Sequence, residues 1–329
     1  INLPVLDNAE RAEVGTIYKQ VSPFRARKIG AAKVFRNAAR HIETALAHHE
    51  GGWRPLVYCW RGGQRSGAFA WMLKEIGWRA EVIEGGYRAY RRLVSQMLYE
   101  APLPHRLVRL GGLTGTAKTE ILGVMAAQGL PVIDLEALAN HRGSLLGDRA
   151  TPQPSQKAFE SALAQDFLAF DPATPVIVEA ESSKIGALTL PPSLWALMKD
   201  APILELTAPL EARAHYLARA YEDILAEPDA LMEKLAPLRR VRGAKVLERW
   251  EALARAGDHA ALCHALAVDH YDPAYRRAQS GRPKVLEKTF ELPDLEPDSL
   301  AKLAPQIAER AHEMVTPAPS TMRPISAAS

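Results

Sequence analysis

Apolar residues fall into two successive series of short runs and helically spaced stretches along the chain. In the first series, an apolar run over residues 55–59 precedes helical spacing over 66–76 and a second apolar run over 80–83. This strand, helix and strand order is that of a βαβ unit. The first part of the chain therefore predicts an α/β domain.

The second series repeats this order. Strands are predicted at four apolar runs, at residues 106–110, 130–134, 175–179 and 202–206. Residues 119–128 predict a helix between the first two strands, and the spacing over 209–270 is almost wholly helical. This alternation is typical of a doubly wound parallel sheet, here followed by a helical C-terminal part.

Pro102 and Pro104 interrupt the chain between the two series. A boundary there gives a first domain over residues 1–101 and a second over 102–315. Residues 316–329 are rich in Pro, Ser and Ala without periodicity, which predicts a disordered tail.

The composition is that of a globular protein, with 47% hydrophobic and 24% charged residues. No apolar run approaches the ~18 residues of a membrane span, so we expect a cytoplasmic protein without a membrane partner. The chain has only two cysteines, Cys59 and Cys263, which fits a reducing compartment. A net charge of +3 does not by itself indicate a nucleic-acid partner, so any such site must lie in a local cluster.

Cys59 follows the first predicted strand, and Arg65 lies at the start of the helix that follows. Gly62 and Gly63 between them allow a loop whose N–H groups converge on one point. These dipoles and the Arg65 guanidinium favour a negative charge there, so we expect a lowered pKa for Cys59 and a nucleophilic thiolate. Cys263 lies at helical spacing among apolar residues and is expected in a core.

Two families use a loop of this kind. The spacing C-x-x-G-x-x-R-S over residues 59–66 fits the cysteine phosphatases, in which the thiolate attacks a phosphoryl group. Residues 83–87, Ile-Glu-Gly-Gly-Tyr, instead resemble the closing strand and turn of rhodanese domains, whose thiolate carries sulfur or selenium. Residues 1–4 resemble the end of the rhodanese N-terminal motif, which implies a first strand upstream of Ile1. We favour the rhodanese interpretation, and expect residues 1–6 to cover the strand edge left unpaired, or that edge to stay free.

A second loop, residues 112–119, matches the phosphate-binding pattern G-x-x-x-x-G-K-[ST] at all but one position. The exception is Ala117, which we expect to be tolerated at a negative φ. The predicted phosphate-binding residues are Gly112, Thr114, Gly115, Thr116, Ala117, Lys118 and Thr119. Lys118 would neutralise the terminal oxygens of a di- or triphosphate, and Thr119 could ligate Mg²⁺. Glu179, at the end of a predicted strand, is the candidate second partner of that ion.

The order of the two loops in one chain resembles the tRNA 2-selenouridine synthases. Four further segments look like those of that family, at residues 134–144, 153–156, 179–186 and 271–275. The resemblance implies an enzyme that S-geranylates 2-thiouridine at the tRNA wobble position with geranyl diphosphate. It then replaces the geranylthio group with selenium from selenophosphate. The resemblance implies no tightly bound cofactor, and a selenophosphate-supplying enzyme is a candidate partner besides tRNA.

His141 and Arg142 follow a strand end on the expected ligand-binding edge of the sheet and are candidate contacts to tRNA or substrate. Basic clusters are candidates for the tRNA backbone, with Tyr271 or Tyr275 for base stacking. The clusters are Arg88, Arg91 and Arg92, and then Arg239, Arg240, Arg242, Lys245 and Arg249.

Three other functions are compatible with the same motifs. A P-loop kinase or NTPase with a rhodanese module would turn over ATP without tRNA. A cysteine phosphatase would cleave a phosphate ester in a Cys59-dependent way. A binding protein with an inactive first domain would bind tRNA and leave it unmodified.

Overall fold

The structure, a computed structural model, describes residues 1–61, 63–279 and 286–315. The chain divides into two compact units, Ile1–Ser95 and a second that begins at Gln96. The sequence placed this division after residue 101. The helical turn Gln96–Glu100 belongs with the second unit, because Leu98 is fully buried and the Tyr99 hydroxyl donates a 2.6 Å hydrogen bond to Glu160. The predicted disordered tail lies outside the described residues.

The first unit contains four helices and two strands within its described residues. In chain order they are α1 (Asn8–Gln20), α2 (Pro23–Glu43), β1 (Leu56–Val57), α3 (Gln64–Glu75), β2 (Glu81–Val82) and α4 (Gly86–Ser95). The two strands pair in parallel, Leu56 opposite Glu81 and Val57 opposite Val82. The predicted strand, helix and strand order is therefore present, with much shorter strands than the apolar runs indicated.

Local signals set the limits of the first two helices. Asp7 caps α1 in a capping box with Glu10, and Ser22 caps α2, which begins with Pro23. The helices pack closely at Gly30, where a Cβ would lie 3.2 Å from Val14 Cγ1. A larger residue at this position would have to displace the Val14 side chain.

Residues 1–6 do not pair with β1. The Asn37 amide donates to the Val5 carbonyl at 3.1 Å, and the His41 ring lies 3.0 Å from the Pro4 carbonyl, so α2 holds this segment. No backbone hydrogen bond joins it to β1 in the described first unit, where β1 pairs with β2 alone. Of the two expected arrangements, the structure shows the one in which the strand edge stays free.

The second unit is built on a five-stranded parallel sheet, as predicted. Its strands are β3 (Leu107–Gly112), β4 (Val132–Ile133), β5 (Val176–Glu179), β8 (Ile203–Thr207) and β9 (Leu286–Glu291), in the order β4-β5-β3-β8-β9. A short antiparallel pair, β6 (Lys184–Ile185) and β7 (Leu188–Thr189), stands apart from it. The edge strand β9 was not predicted, because its Leu-Glu-Lys-Thr-Phe-Glu sequence has too few apolar positions to stand out.

Helices pack against the sheet and also form a largely helical C-terminal part of the unit. They are α5 (Lys118–Ala127), α6 (Leu135–Ala139), α7 (Gln156–Ala169), α8 (Pro192–Asp200), α9 (Leu210–Ala220), α10 (Glu222–Leu225), α11 (Pro228–Leu235), α12 (Arg239–Arg242), α13 (Ala244–Arg255), α14 (His259–Leu266), α15 (Asp272–Gln279) and α16 (Pro297–Val315). One core joins the sheet to α5 and α16, and a second, around Trp250 and Cys263, lies within the helical part. No helix in the described ranges is both long and apolar enough to cross a bilayer.

Candidate functional site

Residues 112–119 form the loop between β3 and α5, at the carboxyl end of the central strand. Gly112 has φ +145° and Gly115 has φ +84°, and both lie against other elements. A Cβ on Gly112 would lie 2.7 Å from the Leu206 carbonyl oxygen, and one on Gly115 would lie 2.8 Å from the Leu217 side chain. Both positions therefore require glycine, which is what a loop wrapped around phosphate needs.

Ala117 corrects one expectation. Its backbone has φ 55° and ψ 34°, so it adopts the left-handed conformation rather than the negative φ that we expected. Its methyl group is buried against the core that joins the sheet to α5. For a residue with a Cβ this conformation costs about 1–2 kcal/mol, which the surrounding packing must offset.

Lys118 is the first residue of α5, and its side chain folds back over the loop that precedes it. Its Nζ donates to the Gly112 carbonyl at 2.9 Å and to the Leu113 carbonyl at 3.4 Å. The Thr116 hydroxyl donates to the same Leu113 carbonyl at 2.9 Å. The ammonium group is thus already held at the mouth of the loop, where it can exchange these carbonyls for phosphate oxygens.

Two helices that are distant in sequence, α9 and α15, hold the phosphate loop through hydrogen bonds. Arg213 of α9 donates to the Thr114 carbonyl at 3.1 Å and forms a bidentate pair with Asp272, at 2.9 and 2.8 Å. Both members of this pair are buried. Tyr275, one turn further along α15, accepts a 3.2 Å hydrogen bond from the Gly112 N–H group. The loop is therefore held by α9 and α15 as well as by its own strand and helix.

The loop opens into a cavity of about 520 Å³ in the second unit. Besides residues of the loop, its walls carry carboxylates, arginines and tyrosines, namely Glu120, Glu136, Glu181, Arg142, Arg149, Tyr216, Tyr221, Tyr271 and Tyr275. Cavities of this size hold small phosphorylated molecules. Aromatic walls around a phosphate site suit a ligand that also has an apolar or planar part.

Two carboxylates of the cavity face each other near Lys118. A Cβ on Gly143 would lie 2.3 Å from Oε1 of Glu136 and 3.3 Å from Oε1 of Glu181, so both oxygens border one small space. Burial and the charge of Glu181 raise the pKa of Glu136 to about 8, although Lys118 opposes this. Burial also raises the pKa of Glu181. One carboxyl of the pair therefore keeps its proton near neutral pH.

Glu179 is not among the residues that line the cavity. It is 1% exposed, and its Oε2 accepts a 3.1 Å hydrogen bond from the Glu136 N–H group. Burial and the neighbouring Glu136 raise its pKa well above the usual range. Glu181, two residues further on and beyond the end of β5, lines the cavity instead.

Thr119 lines the cavity, as the prediction of a Mg²⁺ ligand requires. Among the described residues, no three His, Cys, Asp or Glu side chains group as a metal site of their own. Mg²⁺ usually binds beside phosphates through few protein ligands and several waters. The magnesium site, with Thr119 and Glu179 as its candidate residues, stays a prediction.

His141 and Arg142 have different surroundings. The His141 ring is buried, accepts a 3.1 Å hydrogen bond from the Gly143 N–H group and lies 3.7 Å from Asp148. Burial lowers its pKa, with Asp148 opposing. His141 therefore packs the loop that follows α6 and is not among the residues that line the cavity, and its contact to tRNA or substrate stays a prediction.

Arg142 does line the cavity. Its Nη2 donates to Asp223 at 3.0 Å, and its guanidinium lies 4.8 Å from the centre of the Tyr221 ring. Its Nη1 is buried and has no hydrogen-bond partner among the described residues. A buried N–H group without a partner is costly, so a ligand oxygen at this point would be favoured.

The predicted C-terminal basic cluster lies outside the cavity. Arg239 and Arg240 are exposed on α12. Arg242 is half-buried and donates to His270, to the ring Nδ1 and to the carbonyl oxygen, at 3.2 Å each. Arg239 and Arg240 are thus available to a partner, whereas Arg242 joins α12 to the turn before α15.

Cys59 follows β1 and borders a separate cavity of about 800 Å³ within the first unit. Its Sγ accepts a 3.3 Å hydrogen bond from the Ser66 hydroxyl. Burial alone would raise the pKa of Cys59, but the Ser66 hydroxyl and the N–H groups of Gly63, Ser66 and Arg61 together lower it to about 6. The direction of this shift and the role of the loop N–H groups agree with the prediction, whereas the Arg65 guanidinium, which was predicted together with them, is not among the causes.

Arg65 is half-buried and lines the same cavity as Cys59. The start of α4 closes the other side of the loop, where the Tyr87 N–H group donates to the Cys59 carbonyl at 3.0 Å. The Tyr87 ring stacks on Trp60, with ring centres 5.0 Å apart. The residues predicted from the motif thus meet at one site of the first unit, next to a flat aromatic surface.

Comparisons with known proteins agree on one family. Residues 105–234 match the family described as tRNA 2-selenouridine synthase AAA domain. A tRNA 2-selenouridine synthase from Ectopseudomonas mendocina is 35% identical over 315 residues, which is 86% of this chain and 83% of that protein. Proteins of the same name from Cupriavidus pinatubonensis and Bordetella bronchiseptica are 32% and 36% identical, each over 86% of this chain and 84% of their own.

Proposed function

The chain belongs to the tRNA 2-selenouridine synthase family, and from that premise we propose that it converts 2-thiouridine to 2-selenouridine at the tRNA wobble position through an S-geranyl intermediate. Geranyl diphosphate and selenophosphate are the co-substrates. The observation that carries the proposal is the cavity of the second unit, which combines a phosphate loop with tyrosine walls. A prenyl diphosphate has the matching parts, an anionic head and an apolar chain.

In the first step, the sulfur of 2-thiouridine attacks C1 of the geranyl group. A C–S bond forms, the C–O bond to diphosphate breaks, and the uridine loses its N3 proton. Negative charge grows on the departing diphosphate, which the loop N–H groups and Lys118 are positioned to stabilise. Lys118 can do so because its present partners are neutral carbonyls, which bind an ammonium less strongly than phosphate does.

We assign the second step to the loop around Cys59. In this step the selenium of selenophosphate attacks C2 of the base, so that a C–Se bond forms, the C–S bond breaks and the geranylthio group leaves as geranylthiol. Water then cleaves the Se–P bond, which releases phosphate and leaves selenium on the base. The lowered pKa of Cys59, about 6, makes it a thiolate at neutral pH, and the converging N–H groups suit a phosphate-containing anion as well. We propose a rhodanese-like role for this unit on these grounds.

Arg142 is the arginine best placed to contact the substrate, since its Nη1 lacks a partner at the cavity wall. Arg239 and Arg240 are exposed and can meet the tRNA backbone from α12. Mg²⁺, if bound, would be held by Thr119 and by the phosphates of the co-substrate, where it would neutralise charge on the diphosphate. A cytoplasmic location follows from the proposed tRNA substrate.

Mass spectrometry of nucleosides from tRNA incubated with the protein and each co-substrate tests the proposal. Geranyl diphosphate alone should give S-geranyl-2-thiouridine, and addition of selenophosphate should give 2-selenouridine. With Cys59→Ser, selenium incorporation should be lost while geranylation continues, because only the second step is assigned to a thiolate. Loss of both reactions to the same extent would contradict this assignment, and ATP turnover without tRNA modification would favour a P-loop NTPase.

A further inference from the structure

Helix α2 of the first unit concentrates positive charge. Its 21 residues contain a single acidic residue, Glu43. Its basic residues are Arg25, Arg27, Lys28, Lys33, Arg36 and Arg40. Because the whole chain has a net charge of only +3, this helix carries more positive excess than the entire chain does. The charge on α2 is therefore a local feature that the overall composition conceals.

The helix has two opposite faces. Its buried face, which includes Ala26, Gly30 and Val34, packs on α1 and the core of the first unit. Four exposed cations lie on the other side and form what we call the basic stripe, consisting of Arg25, Lys28, Arg36 and Arg40. At about 100° and 1.5 Å per residue, these four share an arc of roughly 120° and a length of about 22 Å. This length spans several consecutive phosphates of a nucleic-acid strand.

The stripe is not neutralised within the protein. Lys33, outside the stripe, pairs with Glu13 at 3.1 Å and with Glu10 at 3.8 Å. None of the four stripe residues has an ion pair within the described part of the chain. Exposed like charges this close repel each other, so an anionic partner would relieve a repulsion that the fold itself leaves in place.

Aromatic side chains stand beside the stripe. Phe35 of α2 is 43% exposed and meets the 55% exposed Trp71 of α3 edge to face, with ring centres 6.5 Å apart. Phe24, at the start of α2, is 76% exposed. Exposed aromatic rings next to cations are suited to unpaired bases, which stack on them while the backbone contacts the cations.

We propose that the basic stripe of α2 is a docking surface for the tRNA backbone, with Phe35 and Trp71 available to an unpaired base. The inference rests on the proposed function, which makes tRNA the substrate. A membrane surface fits less well, because a helix that lies in a membrane inserts its apolar face, and the apolar face of α2 is buried in the protein.

The test compares two triple variants that lose the same charge in the same unit. The stripe variant is Arg25→Ala, Lys28→Ala and Arg36→Ala, and the control is Lys19→Ala, Lys74→Ala and Arg79→Ala, all exposed. Binding of fluorescent tRNA is measured by anisotropy over a range of salt concentrations. The stripe variant should bind roughly tenfold or more weakly, and its slope of log affinity against log salt should fall by about two to three. The control should change far less. Alanine favours helices, so the fold should persist, which circular dichroism checks.

The same proteins, assayed for tRNA geranylation, separate the inference from the proposed function. The stripe variant should show a raised KM for tRNA and an unchanged kcat, since no stripe residue belongs to either loop. If wild-type protein modifies tRNA and the stripe variant binds and reacts as the control does, the docking surface is wrong and the function stands. If wild-type protein neither binds nor modifies tRNA, the proposed function itself fails. Binding to anionic lipid vesicles that the stripe variant loses, with tRNA affinity unchanged, would assign the stripe to a membrane and overturn the inference.

Discussion

Cys59 and Cys263 are the two thiols of the chain, and their surroundings shift their pKa values in opposite directions. Four hydrogen bonds lower the pKa of Cys59 to about 6 against the effect of burial. Burial alone raises the pKa of Cys263 to about 12. At pH 7 the first is a thiolate and the second a thiol, so only the first is a nucleophile.

Alkylation with iodoacetamide should show this difference directly. Because the folded pKa of Cys59 lies below the ~8.5 of a free thiol, its reaction rate should rise between about pH 5 and pH 7 and then level off. Ser66→Ala should move the midpoint to higher pH, since it removes a hydrogen bond to the thiolate. Buried Cys263 should react only after unfolding. A midpoint near 8.5 for Cys59 in the folded protein would contradict the hydrogen-bonded loop.

Lys118 is the second residue whose role can be measured alone. Lys118→Ala should slow geranylation on the order of a hundredfold or more, by comparison with loss of one preorganised charge-stabilising group. Lys199→Ala, on the exposed surface of α8, is the control and should leave the rate unchanged. If geranylation by the Lys118 variant matched that of the control, the phosphate loop would have to serve another reaction.

For individual residues, the sequence identified the members of the Cys59 and phosphate loops but not all of their conformations. The spacing around Cys59 and Lys118 is a local pattern, so both loops were found without a structure. The φ of Ala117 and the inward position of Glu181 depend on neighbours that are remote in sequence, such as the α5 core. The same holds for Glu136, whose acidic neighbour is identified only by the fold.

Among the secondary-structure elements, α9 and α15 act together on the phosphate loop through Arg213 and Asp272. Asp272→Ala would leave the Arg213 guanidinium buried and unpaired, and should destabilise the protein by about 3–5 kcal/mol. It should also weaken diphosphate binding, because Arg213 would no longer be held against the Thr114 carbonyl.

The matched control removes an exposed pair from the same helix. Glu296→Ala breaks the Arg219–Glu296 ion pair of 3.1 Å, whose side chains are more than half exposed, and should cost under about 1 kcal/mol. Urea unfolding of both variants gives the two free energies. Equal costs would show that the buried pair is not a constraint on the loop. No local sequence pattern indicates this pair, since its members lie 59 positions apart and charged residues are usually exposed.

For the whole molecule, the two units differ in how much structure supports them. The first unit has two strands of two residues each in its described part, and the second has a five-stranded sheet with two cores. Short strands with a free edge give few hydrogen bonds and little apolar burial. We therefore expect the first unit to unfold at a lower temperature.

Tryptophan positions make this measurable. Of the six tryptophans, Trp53, Trp60, Trp71 and Trp78 lie in the first unit, so fluorescence reports mainly on it, while circular dichroism follows the helices of both. The fluorescence transition should come first. Inorganic diphosphate should raise only the later transition, since it binds the folded second unit. A single transition that all probes follow together, shifted as a whole by diphosphate, would show instead that the units unfold as one.

The order of strands and helices was predictable because apolar runs and helical spacing are properties of neighbouring residues. Strand lengths were less predictable, since the apolar run at residues 55–59 forms only a two-residue strand. Pairing partners decide strand length, and these lie elsewhere in the chain. The edge strand β9 escaped prediction for the same reason, because its pairing with β8, and not its own sequence, makes it a strand.

The ionised state of Cys59 also exposes it to oxidants. Thiolates react with peroxides far faster than thiols do, and the first product is a sulfenic acid. A nearby second cysteine can convert such a product into a disulfide that cells reduce again, but residues 1–95 contain no cysteine besides Cys59. Further oxidation to the sulfinic acid is irreversible in most proteins. Peroxide should therefore inactivate the selenium step permanently, while the geranyl step, which we assign to the phosphate loop of the other unit, should continue.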